Sequence, residues 1–262
     1  MITDIRLAGQ QLAAPRFDTP KKLVSWMGAI QAQDYAMARW AVGIRLKSAT
    51  ARSVGEAFSR GEILRTHVMR PTWHLVAAED IRWMLKLSAR RIRSANESLA
   101  KGRQLELTEQ LHYRCDRLLE KMLEGNRNLT KQQIGEELNR QGIAADTPRL
   151  TRLLMRAETE AVVCSGPFSG GRQTYALLEE RVPPVPELHP DEALAKLATA
   201  YFRSHSPASL QDFVWWSGLS VTEARHSVGL IGRSLTAERF GQRELFVHES
   251  CRAAETSGVP LY

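Results

Sequence analysis

The sequence predicts a mainly helical fold with small β-hairpins, arranged as three tandem winged helix-turn-helix modules. Apolar residues recur at helical spacing through most of the 262 residues. Short pairs of β-like segments interrupt that pattern three times, each after two or three helices. A composition of 43% apolar and 25% charged residues is ordinary for a globular chain, which excludes a disordered, collagen-like or disulfide-stapled one. The length favours two or three compact modules.

The first module is expected over residues 1–104, with an additional basic helix at its end. Residues 2–12 read as a helix, and Asp18 or Thr19 caps a second that runs to about Ile30. A third starts at Asp34 or Tyr35 and ends near Leu46, with Met37, Trp40, Ala41 and Ile44 expected in the core. Residues 53–58 add a helical turn. Residues 63–69 and 72–76, joined around Pro71, form the first wing. A long helix follows from Ala78, with Ile81, Met84, Leu85, Ile92, Ala95 and Leu99 inward. Arg82, Lys86, Arg90 and Arg93 line its other face without an interleaved glutamate, whereas a merely soluble helix mixes signs.

The second module, residues 105–181, shows the pattern most clearly. Residues 111–123 place Leu111, Cys115, Leu118, Leu119 and Met122 on one face and stop at Gly125. Thr130 caps the next helix, with Gln133 at the capping-box position, Ile134 and Leu138 inward and Gly142 at the end. The third helix begins around Thr147 and Pro148, where proline costs no hydrogen bond. Leu150, Leu153, Leu154, Ala157 and Ala161 face inward; Arg149, Arg152 and Arg156 face outward. Residues 161–164 and 173–177 then flank a glycine-rich turn, 165–172, as a hairpin wing. In such a module the third helix enters the major groove of DNA and the hairpin flanks it.

Residues 182–190 carry four prolines and read as a linker. The last module, 191–250, repeats the order. A helix over 191–204 precedes a short one capped by Ser209 and a third capped by Ser220, and residues 235–240 and 244–248 pair around Gly241 and Gln242.

The net charge is +7, and 28 of the 36 cations are arginine, whose planar fork matches phosphate oxygens. A GC-rich genome would produce the same bias, so the total does not choose a function. The distribution is sharper: residues 35–103 hold 14 cations against 5 anions, so the rest of the chain is slightly acidic. A domain-sized excess attracts polyanions. Double-stranded DNA is the expected partner, with Arg39, Arg65, Arg70, Arg82, Lys86, Arg90, Arg93, Arg149, Arg152, Arg156 and Arg172 as candidate contacts. Phe168, in the second wing, is a candidate wedge for the gap an extruded nucleotide leaves.

Cys115, Cys164 and Cys251 are odd in number and show no metal-binding spacing, and no histidine pair stands at i,i+4. Neither a metal nor a cofactor is expected, and His67 and His74 are assigned hydrogen-bonded structural roles. The N-terminus has no signal-like apolar run and no later run approaches a membrane span, so the chain reads as cytoplasmic, with no obligate protein partner evident. No hydrolase triad, phosphate loop or dinucleotide fingerprint is present.

Three segments carry a resemblance: Gly28-Ala29-Ile30-Gln31-Ala32-Gln33-Asp34-Tyr35-Ala36-Met37-Ala38-Arg39-Trp40; residues 64–76, with Arg65, His67, Arg70, Trp73 and His74; and residues 212–225, with Trp215, Trp216 and Gly218. In this order, across nearly the whole chain, they resemble the AlkZ-type DNA glycosylases. The resemblance implies three winged helices around a concave DNA-binding face and removal of alkylated purines, with unhooking of interstrand crosslinks in some members. It implies that Gln31 and Gln33, matching a signature of Gln, an apolar residue and Gln, are the catalytic pair; the subgroup with Asp in the last place does not fit. Members of the family usually continue into a β-rich C-terminal region, which this chain is expected to lack, residues 251–262 being only its start.

The chemistry is reasonable for two amides. Alkylation of a purine ring nitrogen makes the base a good leaving group, and what remains is to place a water against an oxocarbenium-like sugar. Amides both accept and donate for that purpose. On one helix, residues two apart diverge by about 200°, so the helix is expected to end or distort near Gln31, with Asp34 capping the next. Without the resemblance, two glutamines at this spacing point first to hydrogen bonds within the inter-helix turn. A non-catalytic winged-helix regulator is the alternative function, and a protein-interaction scaffold a third.

Overall fold

The computed structural model describes residues 2–254. Along the chain, α1 (Ile2–Gly9), α2 (Pro20–Met27), β1 (Ile30–Gln31), α3 (Tyr35–Gly43) and α4 (Ala51–Ser59) lead to the hairpin β2 (Ile63–His67) and β3 (Trp73–Ala77). Then come α5 (Ile81–Gly102), α6 (Glu109–Leu123), β4 (Leu129–Thr130), α7 (Lys131–Arg140), α8 (Thr147–Thr159), the hairpin β5 (Val163–Ser169) and β6 (Arg172–Leu177), and the single turn α9 (Leu178–Arg181). The last stretch holds α10 (Pro190–His205), α11 (Leu210–Ser217), α12 (Val221–Leu230) and the hairpin β7 (Leu235–Phe240) and β8 (Arg243–His248). The fold is mainly helical with small antiparallel sheets. No described helix is long and apolar enough to cross a membrane.

Helix starts follow local chemistry. Thr19, Asp34, Thr130, Asp146, Ser209 and Ser220 each accept a backbone N–H from the first turn, and Thr130, Ser209 and Ser220 complete capping boxes. Each such cap is worth about 1 kcal/mol.

The chain divides into two compact units. One comprises residues 1–30, 34–55 and 187–262; the other comprises 31–33 and 56–186. The stretch 1–104, read from the sequence as one module, contributes to both.

In the first unit α10 is central, burying Leu197, Ala198, Tyr201 and Phe202. Phe202 meets Phe213 of α11 and Phe246 of β8 at 5.3 and 5.7 Å between ring centres. At its C-terminal end Arg203 donates to the carbonyls of Ser25 and Trp26, which joins α2 to α10. The expected inward face of α3 is overturned. Ala38 and Val42 are buried, whereas Met37 and Trp40 are 60% and 63% exposed and Ile44 is also exposed. The buried line of α3 runs through Ala38 and Val42, four residues apart, which leaves the larger apolar side chains outside.

In the second unit the order α6, β4, α7, α8, β5, β6 closes a sheet of order β4-β6-β5. Its core joins Cys115, Leu119 and Leu123 to Ile134, Leu138, Leu150, Leu153, Leu154, Ala157, Val163 and Tyr175. A second sheet has the order β1-β3-β2. On α5, Ile81, Met84, Leu85 and Ile92 are buried as expected, but Leu99 is exposed. The basic stripe on α5 is not bare either. Arg82 pairs with Glu179 at 2.9 Å and Arg93 with Glu160 at 2.5 Å, acids supplied by other elements.

Around Arg156 the same unit gathers acids. Asp116, partly buried on α6, has its carboxyl pushed up to about 6, first by burial and then by Glu160, Glu120 and Glu109, against the opposing pull of Arg156. A raised carboxylate pKa favours the folded state below the unfolded value, and that contribution is lost as pH rises through 6. Asp116→Asn is therefore expected to stabilise the protein at pH 7.5. The gain is about 1 kcal/mol once solvent screening of a partly exposed carboxyl is allowed for, and it disappears below about pH 4. Thermal melts of both proteins at pH 4 and 7.5 check this; a pH-independent difference would count against it.

Candidate active site

The helix before Gln31 ends because Gly28 adopts φ +75°, a conformation open to glycine. The chain then runs extended through β1. Alternation along an extended chain sends neighbouring side chains to opposite sides. Ala32 is accordingly fully buried while Gln31 and Gln33 are both exposed. The expected break in the helix is thus present, and Asp34 caps α3 by accepting from Met37 N at 3.0 Å.

The segment is pinned along its length. Ala32 N donates to Trp73 O on β3 at 2.7 Å. Trp73 N donates to the Gln33 side-chain oxygen at 3.4 Å, a bond that does not engage the Gln33 NH₂. Arg65 of β2 donates through Nε to Ala32 O at 2.9 Å and through Nη2 to Gln33 O at 3.0 Å. Its Nη1 reaches Gln173 Oε1 of β6 at 2.5 Å. Trp73 lies between the Arg65 guanidinium, 4.5 Å from its ring centre, and the His67 ring at 3.9 Å.

Behind this layer, His67 Nδ1 stands 2.6 Å from Glu158 Oε2, with both side chains almost fully buried. His67 and His74 do not face each other: the strand register sets His67 opposite Trp73 and His74 opposite Thr66. Burial pushes His74 down to about 4, and its Nδ1 donates to Thr72 O at 2.9 Å, so at neutral pH it is an uncharged structural residue. Among the described residues, no group of three His, Cys, Asp or Glu is placed to hold a metal.

Chemically, two exposed amides on one short, fixed segment present acceptor and donor groups, while the neighbouring Asp34 carboxylate is engaged in capping α3. The sequence reading missed Glu158 and Gln173, which stand 91 and 108 residues from their partners. No local pattern marks such pairs.

The candidate DNA contacts fare differently. Arg70, Lys86, Arg90 and Arg172 are exposed, Arg172 with an exposed bond to Gln132. Arg149 and Arg152 are half-buried along α8, and Arg149 lies 3.4 Å from Asp146. Arg39, half-buried in the other unit, lies over Tyr35. Three of the candidates are engaged within the protein. Arg65 is engaged with backbone carbonyls. Arg156 has only 8% of its side chain exposed and bonds Glu109 and Glu160, so it does not face outward. Phe168 rests on Phe58, 5.3 Å between ring centres, and the turn of the hairpin is Gly170 and Gly171, both at positive φ.

The family model described as DNA glycosylase AlkZ-like matches residues 24–260. A search among curated proteins found no match. Among solved structures the chain is similar to the Streptomyces sahachiroi DNA glycosylase AlkZ, with a TM-score of 0.73 at 21% identity, covering 98% of this chain and 72% of that one.

Proposed function

The chain belongs to the AlkZ-like DNA glycosylase family, and from that premise we propose that it excises alkylated purines by directing water onto the sugar after the damaged nucleotide is extruded. In this reading the three helix-and-hairpin groups act as winged helices on duplex DNA. The observation that carries it is the pair of exposed amides, Gln31 and Gln33, on an extended segment tied down by Ala32.

An alkylated purine is already cationic and leaves without strong acid help, so the uncharged His74 is no obstacle. The Gln31 carbonyl accepts from the attacking water, and the NH₂ of Gln33 donates to it or to the sugar-phosphate. The exposed Arg70, Lys86 and Arg90 hold phosphates around the opened site. Extrusion itself is favoured where the damaged base is poorly stacked.

The test uses duplex DNA containing 7-methylguanine, with abasic sites counted under single-turnover conditions. The wild type is expected to form them. The Gln31→Ala/Gln33→Ala double variant is expected to do so at least about tenfold more slowly, the size of one lost positioning interaction or more, with duplex affinity kept. Equal rates would remove the glutamines from the reaction. Strong preference for one undamaged sequence, with no excision, would make the protein a regulator instead.

A further inference from the structure

Resting on that reading for what the glutamines do, we infer that Arg65 is a positioning residue that holds the Gln31-Ala32-Gln33 segment in its working shape, with Gln173 of the β5-β6 hairpin as its anchor. Its geometry is unlike that of a phosphate contact. A guanidinium grips phosphate with two parallel N–H groups on one edge. In Arg65 the edge formed by Nε and Nη2 is engaged by the carbonyls of Ala32 and Gln33, and Nη1 donates to Gln173, so three of its five N–H groups are used within the protein. The plane of the group is covered on one side by Trp73.

Successive carbonyls of a straight strand point in opposite directions. One guanidinium takes both only because the chain bends at Gln33. That bend turns Gln33 toward Trp73 N and lets Asp34 begin α3. Without Arg65, two carbonyls would revert to water and the bend would rest on Ala32 N to Trp73 O and the longer bond from Trp73 N to the Gln33 side chain. The β5-β6 hairpin enters twice: Gln173 receives Nη1, and Ser165 Oγ accepts from Arg65 N at 2.9 Å. The second hairpin thus braces the segment that carries the two amides.

The test compares Arg65→Ala, Arg65→Lys, Gln173→Ala and the Arg65→Ala/Gln173→Ala double variant in the full chain. It reads single-turnover excision of 7-methylguanine, duplex affinity over a salt series, and amide hydrogen exchange at Ala32. Arg65→Ala is expected to slow excision about tenfold and speed Ala32 exchange at least about tenfold, with affinity and its salt dependence unchanged. Lysine reaches one carbonyl and cannot stack as a plane, so Arg65→Lys is expected to fall between. Gln173→Ala is expected to have a smaller effect that adds nothing to Arg65→Ala. Weaker binding with a salt slope reduced by about 0.9 would make Arg65 a phosphate contact and overturn the inference. So would unchanged exchange at Ala32 in both Arg65→Ala and Arg65→Lys. Exchange is read without substrate: a wild type that excises nothing, but whose Ala32 is exposed by Arg65→Ala, overturns the glycosylase reading and leaves the positioning role standing.

Discussion

Glu158→Ala is expected to lower the unfolding free energy by about 3 kcal/mol, the largest loss among the substitutions considered. Glu158 stands on α8 with 1% of its side chain exposed, and its Oε2 accepts from both the ring and the backbone N of His67. Alanine leaves two donors buried without an acceptor and a void where the carboxylate was. Trp73, whose ring centre lies 3.9 Å from that of His67, loses a fixed neighbour. Glu158→Gln keeps the volume and one acceptor oxygen, so its cost is expected to be about half. Urea denaturation of the three proteins checks both values. A midpoint unmoved by Glu158→Ala would show that the pair contributes nothing to stability.

The second large effect is expected at Arg156, about 2 kcal/mol on replacement by alanine. Its guanidinium bonds Glu109 through both terminal nitrogens and Glu160 through Nε, and Glu97 lies at 4.0 Å. Removing the cation leaves Glu109, Glu160 and Asp116 facing one another. The cost stays below that of Glu158 because Glu109 is well exposed and regains water. The same substitution separates structural from DNA-binding cations. Arg156→Ala is expected to lower the melting temperature while leaving the salt dependence of duplex binding intact. Arg149→Ala/Arg152→Ala is expected to do the reverse, reducing the slope by up to about 1.8 if both side chains meet phosphates. A slope change in Arg156→Ala with no change in melting would invert this assignment.

These two residues also mark how far local pattern carries. Arg149, Arg152 and Arg156 fall on one stripe of α8 by spacing, and nothing within the helix distinguishes them. Arg156 is buried because α6 brings Glu109 over it, 47 residues away. On α3, helical spacing grouped Met37, Trp40, Ala41 and Ile44 as an inward face, and packing instead chose Ala38 and Val42. Hydrophobicity alone favours the large side chains; close approach of the helix favours the small ones. The expected start of a C-terminal region falls mostly on residues 255–262, outside the described residues.

Where the controlling interaction spans a few residues, the amino-acid order was sufficient. The caps at Thr130, Ser209, Ser220 and Asp34 depend on neighbours within about four positions and were legible. The hairpins, which pair residues up to 14 positions apart, were legible from their β-like segments and turns, whereas the second helix, read to about Ile30, stops at Met27 before Gly28. The alternation that leaves Gln31 and Gln33 exposed while Ala32 is buried follows once the helix stops. What holds that segment was decided only by tertiary structure. Arg65, Trp73 and Gln173 meet there, and Glu158 backs His67, because two hairpins and α8 converge, and contacts between residues many tens of positions apart leave no periodicity for a sequence to display.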